Sequence, residues 1–182
     1  MNLVFMVEEL SMKEFLSILL PRVLPEAVTF KIIPHSGKTD LQHSIPHKLK
    51  AWNMPDTKFV VVQDQDSADC KVLKSELQQL CDSVISGVLV RIACVELEAW
   101  YWGDLHAISK AYNKDLTGLA NKALYRNPDC IQNPKQELKK FLPQHQQISG
   151  ARSIAPHINI ESNTSASFRI FISGIRRLAG LS

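Results

Sequence analysis

What this chain lacks narrows it first. No apolar stretch approaches the roughly 20 residues needed to cross a bilayer, so no membrane partner is expected. The opening residues, MNLVFMVEEL, have neither the charged start nor the long apolar run of a secretory signal, and read as part of the mature fold. The four cysteines, Cys70, Cys81, Cys94 and Cys130, never form a C-x-x-C pair, which removes the signature of zinc ribbons and thioredoxin-type redox centres. With no export signal they read as reduced thiols, and a cytoplasmic protein is expected. There is no internal repeat, low-complexity tract or polar linker. No Ser-His-Asp or Cys-His triad can be argued from spacing.

What is present is the composition of an ordinary globular chain, 45% hydrophobic and 21% charged over 182 residues. That length suits one domain, which buries about 70% of the surface its unfolded chain exposes. Leu3 to Val7 is an unbroken apolar run, as expected of a strand covered on both faces, and Phe59 to Val62 has the same buried pattern, while Val28 to Ile33 is β-rich and Val88 to Val95 is a fourth strand candidate. Helical spacing separates them. Ser11-Met12-Lys13-Glu14 fits a capping box ahead of Phe15, Leu16, Leu19 and Leu20. Thr39 to Trp52 follows, either kinked at Pro46 or starting near Ser44. Asp69 to Val84 places Leu73, Leu77, Leu80 and Val84 on one face. Four strands with three crossover helices predict a Rossmann-like, mostly parallel α/β sheet. Beyond about Gly103 short helices are expected: Leu105 to Tyr112, one opening at Asn133-Pro134, and Ser167 to Leu178. Residues 1–105 would form the α/β core, and residues 106–182 a helical extension of the same domain packed on it.

The formal net charge of +3 hides a division. Residues 1–105 hold ten Lys and Arg against fourteen Asp and Glu, and residues 106–182 hold eleven against four. The halves therefore carry −4 and +7, a pattern that suits a polyanionic partner near a cation-holding site. The acids also fall at strand ends: Glu8 and Glu9 after the first, Asp64 and Asp66 after the third, Glu96 and Glu98 after the fourth. In a parallel sheet these ends share the carboxyl edge, where open α/β folds bind ligands. In extended geometry the Cα atoms of Asp64 and Asp66 would lie roughly 7 Å apart with both side chains on one face. Such oxygen donors suit magnesium or manganese. Each acid also has a plainer reading: Glu96 and Glu98 opening a helix, Asp66 capping the Asp69 helix, Glu9 facing solvent.

Other constellations are weaker. Gly37-Lys38-Thr39 has the end of a P-loop, but Ile32 stands where the motif wants glycine. The alternatives are a turn with Thr39 as a cap, or Lys38 meeting a phosphate at the acidic edge. His43 and His47 are four apart but lack the acid of H-E-x-x-H, so solvent-facing histidines are expected. Trp100-Tyr101-Trp102 suits a core, with base stacking as the alternative. In the Ser149-Gly150-Ala151-Arg152 loop, Arg152 either grips a phosphate or forms an ion pair. Arg169, Arg176 and Arg177 flank the last helix as a solvated face or a nucleic-acid surface.

Seven blocks carry a resemblance: Val7-Glu8-Glu9, His35 to Leu41 (HSGKTDL), Val62 to Asp66 (VQDQD), Glu96 to Trp100 (ELEAW), Arg126-Asn127-Pro128, Asn133-Pro134-Lys135 and Ser149 to Arg152 (SGAR). Together they resemble the prokaryotic domain-of-unknown-function family 4276 over nearly the whole chain. That family is regarded as TOPRIM-like, after the fold shared by topoisomerases, primases and some nucleases. The resemblance implies Glu8 as general acid/base or metal ligand, with Asp64 and Asp66 holding magnesium. The resemblance implies a setting too, since the family's members are often found beside ATPases in phage-defence or restriction-like gene clusters. One departure stands out: the TOPRIM Glu is commonly followed by Gly, and here Glu9 takes that place.

The function expected is thus a Mg²⁺- or Mn²⁺-dependent nuclease acting on nucleic acid, with an ATPase partner. Glu8, Asp64 and Asp66 form its core, Glu96 or Glu98 completes a second metal position, and Lys38 and Arg152 offset phosphate charge. A non-catalytic regulatory or adaptor subunit of an ATPase-containing defence complex is the alternative, supported by Glu9. Metal-dependent transfer to a small nucleotide is a third reading.

Overall fold

The computed structural model describes residues 1–181. Strands β1 (Asn2–Val7), β2 (Thr29–Pro34), β3 (Thr57–Asp64) and β4 (Leu89–Ala93) alternate with helices α1 (Leu10–Leu19), α2 (Lys38–Ala51) and α3 (Cys70–Asp82). All pairings are parallel, in the order β2-β1-β3-β4. Parallel neighbours need a crossover, and each one here carries a helix.

Both faces of the sheet are covered, with the side chains divided by the two-residue period of a strand. Leu3, Phe5 and Val7 of β1 and Val60 and Val62 of β3 enter one core. Val4 and Met6 of β1 and Phe59 and Val61 of β3 enter the other, against Leu41, Ile45 and Leu49 of α2 and Leu73 and Leu77 of α3. This double burial is why β1 and β3 have unbroken apolar sequence.

After β4 the chain is helical: α4 (Leu97–Trp102), α5 (Leu105–Tyr112), α6 (Ala123–Arg126), α7 (Pro134–Phe141), α8 (Gln147–Ile154) and α9 (Ala166–Leu178), with short 3₁₀ turns between some of them. Here α8 packs on α1 and α9 packs on β4. Phe168, Phe171 and Ile175 of α9 share a core with Phe15 and Leu16 of α1.

Two local expectations are corrected, for α1 and for Ser149 to Arg152, and the alternative left open for α2 is decided. Helix α1 begins at Leu10, not at a Ser11 cap, because the Glu9 carbonyl already accepts the Lys13 N–H (3.2 Å). Helix α2 starts at Lys38 and continues through Pro46, held on both sides of it by buried Leu41, Ile45 and Leu49. Ser149 to Arg152 is no loop; it lies within α8.

Candidate functional site

Glu8 is the first residue beyond β1, and the His35–Gly37 segment clamps the backbone there. The His35 N–H donates to the Val7 carbonyl (3.0 Å), and His35 Nδ1 lies 2.8 Å from the same oxygen. The Gly37 N–H donates to the Glu8 carbonyl (3.0 Å). Gly37 has φ +101°, a conformation glycine takes without a Cβ penalty. The block that resembles a P-loop thus fixes the Glu8 backbone. Gly37, not Thr39, stands at the N-cap of α2. The Glu8 side chain is buried, and its Oε2 accepts the Asp64 N–H (3.2 Å).

Asp64 closes β3, and the chain then leaves extended geometry. Asp66 adopts φ +52° and donates its N–H to the Val95 carbonyl (2.8 Å). Val95 itself has φ +61°, an outlier for a β-branched residue, and donates to the Gln65 side chain (3.1 Å). Backbone strain of this kind clusters at functional sites. It also corrects the expectation that Asp64 and Asp66 project side by side from one strand. Asp64 Oδ1 is buried, whereas the Asp66 carboxylate turns to the surface and pairs with Lys38 Nζ (3.2 Å).

Glu96 stands at the N-cap of α4, without capping it through its side chain, and Glu98 follows in the first turn, 3% exposed. Lys135, at the start of α7, reaches Glu96 at 3.6 Å. Buried His145 places Nε2 3.9 Å from Glu98 Oε1. Among the described residues, the buried side-chain polar atoms with no hydrogen-bond partner are Asp64 Oδ1, Glu96 Oε2, Tyr101 Oη and His145 Nε2. All four belong to one neighbourhood with Glu98 in common: its charge acts on Asp64, Glu96 and Tyr101, and it is the carboxylate that faces His145.

The electrostatics follow from this crowding. Burial, then the charge of Asp66, raises the Glu8 carboxyl from 4.5 to about 7. Burial raises Asp64 well above the usual carboxylate range, reinforced by Glu98 and Glu8 and opposed by the Leu97 N–H. Burial and Glu98 also raise Glu96, against the pull of Lys135. Burial disfavours charge on Lys135, yet Glu96, Glu98 and Glu9 outweigh it and hold its ammonium above the ordinary lysine range. Gathered carboxylates that resist ionisation are what a cation would relieve.

The remaining residues named from sequence fall elsewhere or serve structure. Arg152 pairs with Glu14 of α1 (2.8 Å) and makes no ion pair with the acids of the edge. The Glu9 carboxylate is held by Ser11 (3.3 Å) and Gln147 (3.4 Å). A recess of about 300 Å³ beside it is lined by Glu9, His35, Gly37 and Gln147, among others. A larger recess of about 500 Å³ along α9, bordered by Arg169, Arg176 and Arg177, shares none of those residues. His43 and His47 are exposed. Trp100, Tyr101 and Trp102 are buried, with Trp100 Nε1 donating to Ser167 (2.8 Å) and Trp102 Nε1 to the Pro134 carbonyl (2.9 Å). Lys135 and His145 are site residues that the sequence reading does not single out. Asn133-Pro134-Lys135 is a usable signal for the first, while a lone histidine gives none for the second.

Oxygen donors and a partnerless buried carboxylate oxygen at Asp64 fit a hard divalent cation by chemistry. Among the described residues, no three His, Cys, Asp or Glu side chains converge into a ready-made cage. A cation would have to draw the carboxylates together.

A parallel α/β sheet in this strand order, with helices on both faces and acids along its carboxyl edge, is TOPRIM-like in class. Residues 7–176 match the family described as "Domain of unknown function (DUF4276)", and the chain belongs to that family. Among solved structures, the C-terminal region of the Burkholderia pseudomallei OLD protein is similar, with a TM-score of 0.58, 17% sequence identity and 98% of each chain covered. That likeness speaks for the fold. No curated protein matches the sequence.

Proposed function

We propose that this chain is a magnesium- or manganese-dependent nuclease, working with an ATPase partner in prokaryotic phage defence. The observation that carries the reading is the gathering of buried polar atoms without a hydrogen bond, Asp64 Oδ1 foremost, around Glu98 at the carboxyl edge. Buried polar groups are ordinarily paired, so such a cluster suits a bound ion or water. Glu8, Asp64 and Asp66 would hold the cation, with Glu96 and Glu98 offering a second position. Bound there, a divalent cation supplies charge that activates water and stabilises a leaving oxygen.

The chain's own residues do the rest. Where Glu8 serves as general acid/base rather than as a ligand, its carboxyl, raised by burial to about 7 in the metal-free chain, can hold or release a proton near neutral pH. Lys38 pairs with Asp66 at the exposed rim and would meet a phosphate if Asp66 engaged a cation. Arg152 would reach a phosphate only by leaving Glu14. The defence setting and the ATPase follow from the family resemblance. The similar structure is itself one region of a larger protein, consistent with a fold that works beside other parts.

The test incubates the full chain with labelled DNA and RNA, with and without Mg²⁺ or Mn²⁺, alone and with the neighbouring ATPase. Cleavage that needs the metal and falls by about 100-fold or more in both Asp64→Asn and Glu8→Gln is the expected result. Absence of cleavage in every condition would overturn it. That outcome would favour a non-catalytic regulatory subunit, the reading that the open geometry and the Lys38–Asp66 ion pair support.

A further inference from the structure

We propose that His145 is a positioning residue for Glu98, seated by Gly150 and oriented by Tyr112. The inference rests on Glu98 belonging to the proposed cation site. His145 is fully buried, and its ring packs near those of Tyr101 and Tyr112, at centroid distances of 6.5 and 5.9 Å. Its Nδ1 lies 2.6 Å from the Tyr112 hydroxyl, and its Nε2 faces Glu98 Oε1 at 3.9 Å with no other partner.

The tautomer follows from what each nitrogen faces. A carboxylate oxygen can only accept, so the ring hydrogen in front of Glu98 belongs on Nε2. Nδ1 is then an acceptor, and the Tyr112 O–H donates to it. The result is one directed chain, Tyr112 to His145 to Glu98. Its last link is open at 3.9 Å and needs to close by about 1 Å to reach hydrogen-bond range. A histidine buried only for packing would have both nitrogens satisfied, and this one has a single free nitrogen aimed at an acid.

Gly150 gives the arrangement a sequence origin. A Cβ there would lie 2.2 Å from His145 Cε1, 2.5 Å from Nδ1 and 3.0 Å from the Tyr112 hydroxyl. Any side chain at this position would push the imidazole off its line. The glycine of the Ser149–Arg152 block thus makes room for the ring. Partners that hold a ligating carboxylate commonly govern metal affinity by about 10–100-fold.

The test is calorimetric titration of Mn²⁺ into the full-length chain, for wild type, Asp64→Asn, His145→Leu, His145→Gln and Tyr112→Phe, with circular dichroism to establish folding. We expect His145→Leu to weaken Mn²⁺ by about tenfold or more. Tyr112→Phe should weaken it less, and His145→Gln, which keeps an N–H donor, should restore much of the loss. In parallel, long-range ¹⁵N spectra of the imidazole in metal-free protein should find hydrogen on Nε2, with a shift that moves in Glu98→Gln. Wild-type Mn²⁺ affinity in folded His145→Leu, alongside its loss in Asp64→Asn, would overturn the positioning role and leave the metal site standing. If wild type binds no Mn²⁺, the metal reading falls, and the spectra decide the His145–Glu98 link separately. An Nε2 signal unaffected by Glu98→Gln would overturn that link, and a shifted one would support it. Should His145→Leu fail to fold, Tyr112→Phe with unchanged affinity and unchanged imidazole signals would overturn the proposal.

Discussion

Burial and the neighbouring Asp66 push the Glu8 carboxyl from 4.5 to about 7. Between those values the folded chain keeps a proton that the unfolded chain has released. This contribution to stability is therefore complete below about pH 4.5 and is lost as pH rises through about 7. Glu8→Gln keeps an oxygen for the Asp64 N–H but removes the charge. The variant should melt above wild type at pH 8 without divalent cation and converge with it near pH 4, as thermal scans at the two pH values would measure. Gly103 offers a steric test. A Cβ there would lie 2.0 Å from Asn163 Oδ1 and 2.9 Å from the Ser165 backbone nitrogen. Asn163 cannot retreat, because it donates to the Trp100 carbonyl (2.9 Å) and accepts from the Ser165 N–H (2.9 Å). Gly103→Ala should cost about 1–3 kcal/mol, with each kcal/mol lowering the melting temperature by about 2–4 °C at this chain length. The cysteines differ by environment. Burial pushes the Cys81 and Cys94 thiols up to about 12, whereas Cys130 is exposed. A thiol reagent at pH 8 should label Cys130 rapidly and leave Cys81 and Cys94 unreacted until the chain unfolds.

Elements with strong periodicity are legible in the amino-acid pattern. Helix α3 is expected from Asp69 and runs from Cys70, because the Asp69 carboxylate accepts the Lys71 and Val72 N–H groups (both 2.9 Å). Helix α9 is expected from Ser167 and begins at Ala166, one residue after its Ser165 cap. The short helix α8 has no such signature. Its Ser149 and Gly150 are weak helix formers, and its order comes from packing on α1 and around His145. Ser165 ties α9 down twice, accepting the Phe168 N–H (3.1 Å) and donating to Asp129 (2.6 Å). Ser165→Ala should therefore destabilise the chain by about 1–2 kcal/mol, a loss that urea denaturation would measure.

For the molecule as a whole, the two halves of the sequence meet in one core. Phe168, Phe171 and Ile175 contribute to the same apolar cluster as Leu3, Phe5 and Phe15. Residues 1–105 expressed alone would expose that face of the sheet to water. They should give an aggregating or loosely packed product, seen as dye binding and loss of near-ultraviolet dichroism. A cooperative melt from residues 1–105 would contradict this. The charge division also changes meaning in three dimensions. Lys135 and Arg152, both from the basic half, pair with Glu96 (3.6 Å) and Glu14 (2.8 Å) of the acidic half. Part of the +7 is thus committed within the fold.

By itself, the sequence determined the parallel sheet and the acids along its edge. Strand periodicity, two-sided burial and the order of strands and helices are local properties, and in a parallel sheet they place each strand's following residues at one edge. Only the tertiary structure decided how those acids are arranged. The left-handed turn at Asp66 is bonded to the Val95 carbonyl, two residues beyond the end of β4. Lys135 and His145 join Glu96 and Glu98 only because the later helices fold back over α4 and α1. Contacts between residues far apart in the chain are set by helix packing, and no local pattern encodes which side chains that packing brings together.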